Sequence, residues 1–545
     1  SWILSTSMKS ISRISAILIA CAALHILQPS SEDAIAASSK NDRPNVLFIM
    51  TDDQSRDQFN FLPEGRDEQG KPRNLTPNIN RLVANGIAFP NHYASTPVCT
   101  PSRFTVLTGM YASRANDYAE SAARGEQVNI SWNCHIDAET QNIARMLSDA
   151  GYFTGAVGKN HVIAGHHKKR ISIPFDRSAH EPDVAALLKK KQANQVLSYQ
   201  ECGFDFAASL FAGNLGNRHN TEDTVFHNMD WITQGAMDFF ESWQKTEKPF
   251  YLYFATTLDH GPGPAKLKYT GDPLATPAGF LEKPLTVQPS RASIPERVTA
   301  AGLSLDTTAC DVLWMDDAIG ALLDRLETMG ALDNTVIFFF DDHGVEDGKG
   351  SLYDGGIRSV SFVSGPDRYL KDKGRISDIP LSNTDFLPTI LELAGVDEPA
   401  GAQIDGASYL SILQGIAAPI HESLYFEIGA TRAVLQDEWK YLSFRLPEEI
   451  RNASQEMLSK MNPSNPHDPF THIADKPGGR GSEQPAIRFY PNYFDTDQLY
   501  RISKDPTERE NLYSNPEYGK KAKELKALLN QELDSVPGIF GEFSN

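Results

Sequence analysis

The chain has 545 residues, of which 40% are hydrophobic, and a formal net charge of −19. That length can bury a large core and suggests one big domain plus a smaller one. The acidic balance argues against a general nucleic-acid binder, because a phosphate backbone selects basic surfaces.

A polyanionic substrate would therefore have to meet a local basic patch. His166-His167-Lys168-Lys169-Arg170 and Lys189-Lys190-Lys191 are the candidates, and both also read as ordinary solvated charge runs. At the start of the chain, Met8 resembles a natural start. Lys9 and Arg13 precede an apolar run from Ile14 to Leu27 that is too short to span a bilayer. Residues 8–36 are thus expected to be a signal peptide, with a small-residue cleavage site at Ala34-Ile35-Ala36. Leu18-Ile19-Ala20-Cys21 also resembles a lipobox, which would make Cys21 a lipid anchor. Simple secretion, to the periplasm or the medium, is the preferred expectation, and no later membrane span is predicted. Of five cysteines, Cys134, Cys202 and Cys310 remain beside Cys21 and Cys99, so at most one disulfide is expected among those three.

Asn45 to Met50 is a continuous apolar run, read as a parallel strand buried on both faces. It ends in Thr51-Asp52-Asp53-Gln54. Ligands gather beyond the carboxyl ends of such strands. Two adjacent carboxylates there repel each other unless a cation neutralises them, so a metal site is expected. Thr76-Pro77-Asn78 opens a short helix, with Thr76 as cap, and Gly86 to Tyr93 leads to Cys99-Thr100-Pro101-Ser102-Arg103. Thr100 can cap a second helix and Pro101 suits its first position, with Gly109 as its stop. Cys99 would then sit at a helix N-terminus, a place that attracts oxyanions.

A helix is predicted from Thr140 to Ala150 and a strand from Tyr152 to Val157, which delivers Gly158-Lys159-Asn160-His161. Lys159 and His161 face one side only if the chain is extended there. Arg170 to Met229 carries no motif and is expected to shape a substrate cleft. Trp132, Cys134 and His135 could do likewise, but nothing in the sequence distinguishes them from packing residues. Pro249 to Ala255 reads as a third strand, ending near Asp259-His260-Gly261-Pro262. A long amphipathic helix from Leu303 to Met329 precedes a fourth strand, Asn334 to Phe340, which ends in Asp341-Asp342-His343-Gly344. Gly348-Lys349-Gly350-Ser351-Leu352-Tyr353-Asp354-Gly355-Gly356-Ile357-Arg358 follows at once. Beyond a helix predicted in Ile379 to Gly395, Ala433 to Leu442 alternates like antiparallel strands. Lys460 to Gln484 reads as a loop and Gly519 to Leu533 as a last helix.

These motifs resemble those of the formylglycine-dependent (type I) sulfatases of the alkaline phosphatase superfamily, and among them the bacterial secreted carbohydrate sulfatases. C-x-P-S-R with L-T-G is similar to the family signature. T-P-N-I-N-R-L, G-K-N-H, D-H-G-P, D-H-G, G-K-x-x-L-Y-D-G-G-I-R, Asp405-Gly406-Ala407-Ser408 and D-P-x-E-x-x-N-L match further family runs, from about Arg43 to Leu512. Asn80, Asn160, Asp259 and His343 depart from the usual residues.

The resemblance implies an α/β fold: a large, mixed, mostly parallel sheet sandwiched by helices, with a smaller C-terminal antiparallel-sheet subdomain. The expected division is 43–425 catalytic and 426–545 C-terminal. It implies oxidation of Cys99 to formylglycine by a formylglycine-generating or sulfatase-maturating enzyme. Asp52, Asp53, Cys99, Asp342 and His343 would hold one cation, Ca²⁺ by family habit, with Mg²⁺, Mn²⁺ or Zn²⁺ open because imidazole is a softer ligand. His343 could instead only hydrogen-bond at the rim. Lys159 and Lys349 would pair with sulfate, His260 would protonate the leaving alcohol, His161 would regenerate the aldehyde and Arg103 would orient the diol. The short spacer before Lys349 suggests an open pocket on that side. The expected substrate is a sulfated glycan: a marine algal galactan such as carrageenan first, then glycosaminoglycans, then aryl sulfates. The competing readings are a phosphonate monoester or phosphodiester hydrolase of the same fold and a non-catalytic sulfated-glycan binder.

Overall fold

The computed structural model describes residues 43–164, 171–216, 219–261 and 268–543. The leader, Cys21 and the basic run 166–170 lie outside the described residues. Among those described, nine strands build the large sheet: β1 (Asn45–Asp52), β2 (Gly86–Tyr93), β3 (Phe153–Lys159), β4 (Phe206–Phe211), β5 (Phe250–Asp259), β6 (Thr335–Asp341), β7 (Arg358–Ser364), β8 (Arg375–Ile376) and β9 (Leu381–Ser382). Their order is β8-β2-β7-β6-β1-β5-β3-β4, with β9 also on β2. β7 runs antiparallel to both neighbours and the other pairs are parallel.

β1 is central and buried along its whole length. Successive side chains point to opposite faces. Val46, Phe48 and Met50 therefore enter one core with Phe338 and Phe386, while Leu47 and Ile49 enter another with Phe339 and Trp314. Phe48 meets Phe386 edge-on at 4.9 Å. Burying each such side chain contributes about 1.5–3 kcal/mol.

Helices cover both faces. The principal ones before the C-terminal region are α1 (Pro77–Ala84), α2 (Cys99–Thr108), α3 (Ile143–Asp149), α4 (Pro182–Glu201), α5 (Met229–Trp243), α6 (Thr307–Thr328) and α7 (Phe386–Leu393). Several are capped differently from the sequence expectation, and α2, α3 and α6 also begin at other residues. Thr76 makes no side-chain cap on α1. The Asp316 carboxylate of α6 instead accepts the Asn78 and Ile79 N–H groups at 3.0 and 2.8 Å. α2 begins at Cys99 with Val98 in the cap position, so Thr100 lies inside the helix, and Gly109 ends it at φ 67°. Asn142 rather than Thr140 caps α3, and Asp306 caps α6. Ile379 to Gly395 divides into β9, one 3₁₀ turn and α7.

The C-terminal sheet is antiparallel, ordered β10 (Leu424–Ile428), β11 (Thr431–Gln436), β12 (Trp439–Phe444), β13 (Asp497–Arg501). One face packs on α8 (Gly519–Leu533) through Val434, Tyr441, Leu525 and Leu529. The other packs Phe426 and Leu442 against Tyr93, Val98 and Tyr353, beside the lead-in to Cys99. Cys99, Cys134, Cys202 and Cys310 are all buried thiols, and no disulfide joins them. No helix among the described residues is long and apolar enough to cross a membrane.

Candidate active site

The parallel strands end on one side, as ligand sites in such sheets require. β1 delivers Asp52 and Asp53, β3 Lys159, β5 His260 one residue past its end, and β6 Asp341, Asp342 and His343. Asp53 has φ 55°, a left-handed turn that an aspartate tolerates and that sets it apart from buried Asp52. α2 brings Cys99, fully buried, to the same point.

The carboxylates of Asp52, Asp53 and Asp342 offer oxygens within 4.8 Å of one another, as do the donor atoms of Cys99, Asp342 and His343 and those of Asp53, Cys99 and His260. Asp52 Oδ1 is buried without a hydrogen bond and lies 3.4 Å from Arg103 Nη2. Burial, with the charges of Cys99 and Asp52 close by, pushes the Asp342 carboxyl well above the usual range. Three crowded carboxylates and one orphaned oxygen form a hard, oxygen-rich donor set that fits a divalent cation.

His343 is not at a rim. It is fully buried, its Nε2 lying 3.5 Å from Cys99 Sγ, 3.4 Å from Asp53 Oδ1 and 3.6 Å from Asp342 Oδ1. Burial opposes a charge on this ring, yet Asp342 and the sulfur raise it to about 10. Burial would raise the Cys99 thiol too, but Lys159, Lys349, His161 and His260 hold it well below its ordinary range. Arg103, also fully buried, reaches Asp342 Oδ2 at 3.2 Å and the Thr51 carbonyl at 3.4 Å.

Lys159 Nζ binds Asp52. Lys349 Nζ lies 2.6 and 2.5 Å from the two Asp53 oxygens, so it reaches the centre despite the short spacer. His260 Nε2 is 3.5 Å from Asp53 Oδ2. All residues singled out for the site thus meet here, but His161 arrives differently from expectation. The chain is not extended after Lys159: His161 has φ 59°. Asn160 makes the turn, its Oδ1 accepting the Val162 and Ile163 N–H groups at 3.2 and 2.7 Å.

The family model named Sulfatase matches residues 44–396. The chain belongs to the sulfatase family. It is 26% identical to human N-acetylgalactosamine-6-sulfatase over 70% of this chain and 68% of that protein. It is 24% identical to an arylsulfatase of Clostridium perfringens (strain 13 / Type A) over 90% and 95%. Its fold is shared by the crystal structure of Ps i-CgsB in complex with k-i-k-neocarrahexaose, with a TM-score of 0.54 and 19% identity over 90% of this chain and 92% of that one. This sulfatase is therefore a sulfuric ester hydrolase, of a family that generally uses formylglycine and a divalent metal.

Beside His161 the sulfatase has a cleft of about 770 Å³, lined by Trp132, His135, Asn160, Lys191, Gln195 and His219 among others. Trp132 and His135 were indistinguishable from packing residues in the sequence, and here they face this space. Lys189 and Lys190 are exposed, whereas Lys191 turns inward and binds the His219 carbonyl.

The support beneath the ligands leaves little trace in the sequence. Asp341 accepts the Thr51 hydroxyl and the Gln54 N–H, and its only sequence signal is its place as the first of two aspartates where β6 ends. Gln58 and Lys268 hold Asp259, next to His260. These pairings join residues about 200 and 9 positions apart.

Proposed function

We propose that this sulfatase removes sulfate from a carbohydrate, using residue 99 as formylglycine. The observation that carries the reading is Cys99, buried at the start of α2 and ringed by two lysines, three histidines and three carboxylates. A maturating enzyme would make the aldehyde. Asp52, Asp53, Asp342 and His343, with residue 99, would hold the cation, which we take to be Ca²⁺. When bound, the cation polarises a sulfate oxygen, and the hydrated aldehyde supplies the nucleophilic hydroxyl.

The chain's own side chains do the rest. Lys159 and Lys349, anchored on Asp52 and Asp53, would pair with sulfate oxygens and compensate charge in the transition state. His260 gives a proton to the leaving oxygen, which matters most for a sugar hydroxyl. His161, held by the Asn160 turn, takes the proton from the second hydroxyl of residue 99 as sulfate departs. Arg103 keeps Asp52 and Asp342 in place and so orients residue 99.

The cleft beside His161 would receive the sugar. The carrageenan oligosaccharide bound by Ps i-CgsB and the name of the human relative both support a glycan substrate. A sulfated galactan such as carrageenan is our first candidate and a glycosaminoglycan the second. The leader-like composition of residues 8–36 supports secretion or a periplasmic place.

Sulfate release from carrageenans, ulvan, fucoidan, heparan and chondroitin sulfates and an aryl sulfate tests this, with a phosphodiester as control. Release from one glycan class names the substrate. Phosphodiester cleavage without sulfate release would overturn the reading. Mass spectrometry of the tryptic peptide 82–103 from native-host protein should show the aldehyde at residue 99, and an unmodified thiol there would count against catalysis.

A further inference from the structure

We infer that Lys440, in the C-terminal sheet, is a positioning residue for Lys349, acting through Asp354 and Glu508. The inference rests on the proposed role of Lys349.

Lys440 on β12 is fully buried, as is Glu508, and Asp354 is nearly so. Its Nζ lies 2.8 Å from Asp354 Oδ1 and 2.5 Å from Glu508 Oε1. The other Glu508 oxygen accepts the Asp354 N–H at 2.6 Å. Asp354 opens the one-turn helix Asp354–Ile357, five residues after Lys349. The stretch between them is tight. Gly350, at φ +81°, donates its N–H to the Pro97 carbonyl at 3.1 Å, two residues before Cys99. A Cβ added at Gly348, Gly355 or Gly356 would meet backbone at 2.2, 2.0 or 2.2 Å. Tyr353 stacks on Tyr490 at 3.7 Å and donates to Gln498 Oε1 at 2.7 Å. One end of the loop is thus tied to the lead-in of Cys99 and the other to Lys440.

An ammonium shared by two buried carboxylates is a poor way to gain stability, since well-packed apolar side chains of similar volume do as well or better. What the cluster does supply is a fixed point for the loop. Misplacing a catalytic group by about 1 Å can cost roughly 100-fold in rate.

The test compares Lys440→Met and Glu508→Gln, each alone and combined with Lys349→Ala. Glutamine keeps the size of Glu508 but removes the carboxylate that Lys440 and the Asp354 N–H share, so it loosens the tie without opening a cavity and carries the comparison if Lys440→Met does not fold. Turnover of an aryl sulfate is measured per folded molecule, with hydrogen exchange of the 348–357 peptide. Each single variant should lower kcat about 10- to 100-fold and move KM little. Exchange of 348–357 should quicken while β1 and β5 stay protected. On the Lys349→Ala background the further loss should be under about twofold, as coupled residues require. Wild-type turnover per folded molecule, or losses that multiply with that of Lys349→Ala, would overturn the inference. A Lys349→Ala enzyme with wild-type activity would instead fell the catalytic reading of Lys349 itself.

Discussion

Asp341 grips Gln54: the carboxylate at the end of β6 accepts the Gln54 backbone N–H at 3.1 Å, and the same oxygen takes the Thr51 hydroxyl at 3.0 Å. The turn that presents Asp52 and Asp53 is thereby fixed by a neighbouring strand. Asp341→Ala should weaken both cation affinity and kcat/KM about 10- to 100-fold, the usual cost of losing support behind ligands. Asp341→Asn keeps the accepting oxygen and should stay within a few-fold of wild type. Calorimetric Ca²⁺ titration beside kinetics checks both.

His260 should matter in proportion to how poor the leaving group is. His260→Ala should lower kcat for a sugar sulfate about 100- to 10,000-fold. For an aryl sulfate with an acidic phenol the loss should be several-fold only. Equal losses on the two substrates would remove His260 from the general-acid role.

Chelation should act on stability as well as on turnover. A cation bound by Asp52, Asp53 and Asp342 only in the folded chain adds about 2.7 kcal/mol at 100 times its dissociation constant. Tm should therefore rise with added Ca²⁺ in the wild type and stay flat in Asp342→Ala, as read by calorimetry.

Acid should unfold the protein by way of two neutral histidines. Burial holds His92 and His472 down at about 4, against an ordinary value of 6.5. His92 stacks on Phe386 at 4.4 Å, and His472 Nε2 contacts the Tyr493 carbonyl at 2.7 Å. Because the unfolded chain takes up these protons first, their contribution is present above about pH 6.5 and is lost as pH falls towards 4. Tm should drop across that window, and His472→Gln should flatten the slope.

Asp316 should behave as a cap lent by one helix to another. Asp316→Ala removes the acceptor for two N–H groups at the start of α1. Its cost should be about 1–3 kcal/mol in urea unfolding, whereas Thr76→Ala should cost the cap nothing, since its side chain makes no cap bond.

The legible parts were those written locally. β1, β5 and β6 announced themselves as apolar runs followed by carboxylates or histidine, and α8 falls on Gly519–Leu533 as its pattern predicts. The arrival of Lys349 at the site agrees with the resemblance of its motif, although its contact with Asp53 was not foreseen. What stayed hidden was long-range: Asp316 capping α1, Asp341 under the β1 turn, and Lys440 beneath the Lys349 loop. Each joins positions far apart in the chain, and no periodicity or spacing encodes such a pairing. The route by which His161 reaches the site stayed hidden for a different reason. Two side chains can reach one point through a left-handed turn as well as along an extended strand, and Asn160 selects the turn.

All ten residues of α2 are buried, and Cys99 begins it. A second protein cannot take hold of that segment once the fold has closed around it. Any enzyme that alters the Cys99 side chain must therefore reach it while the chain is still emerging or otherwise open, and the finished molecule keeps whatever chemistry it was given in that interval.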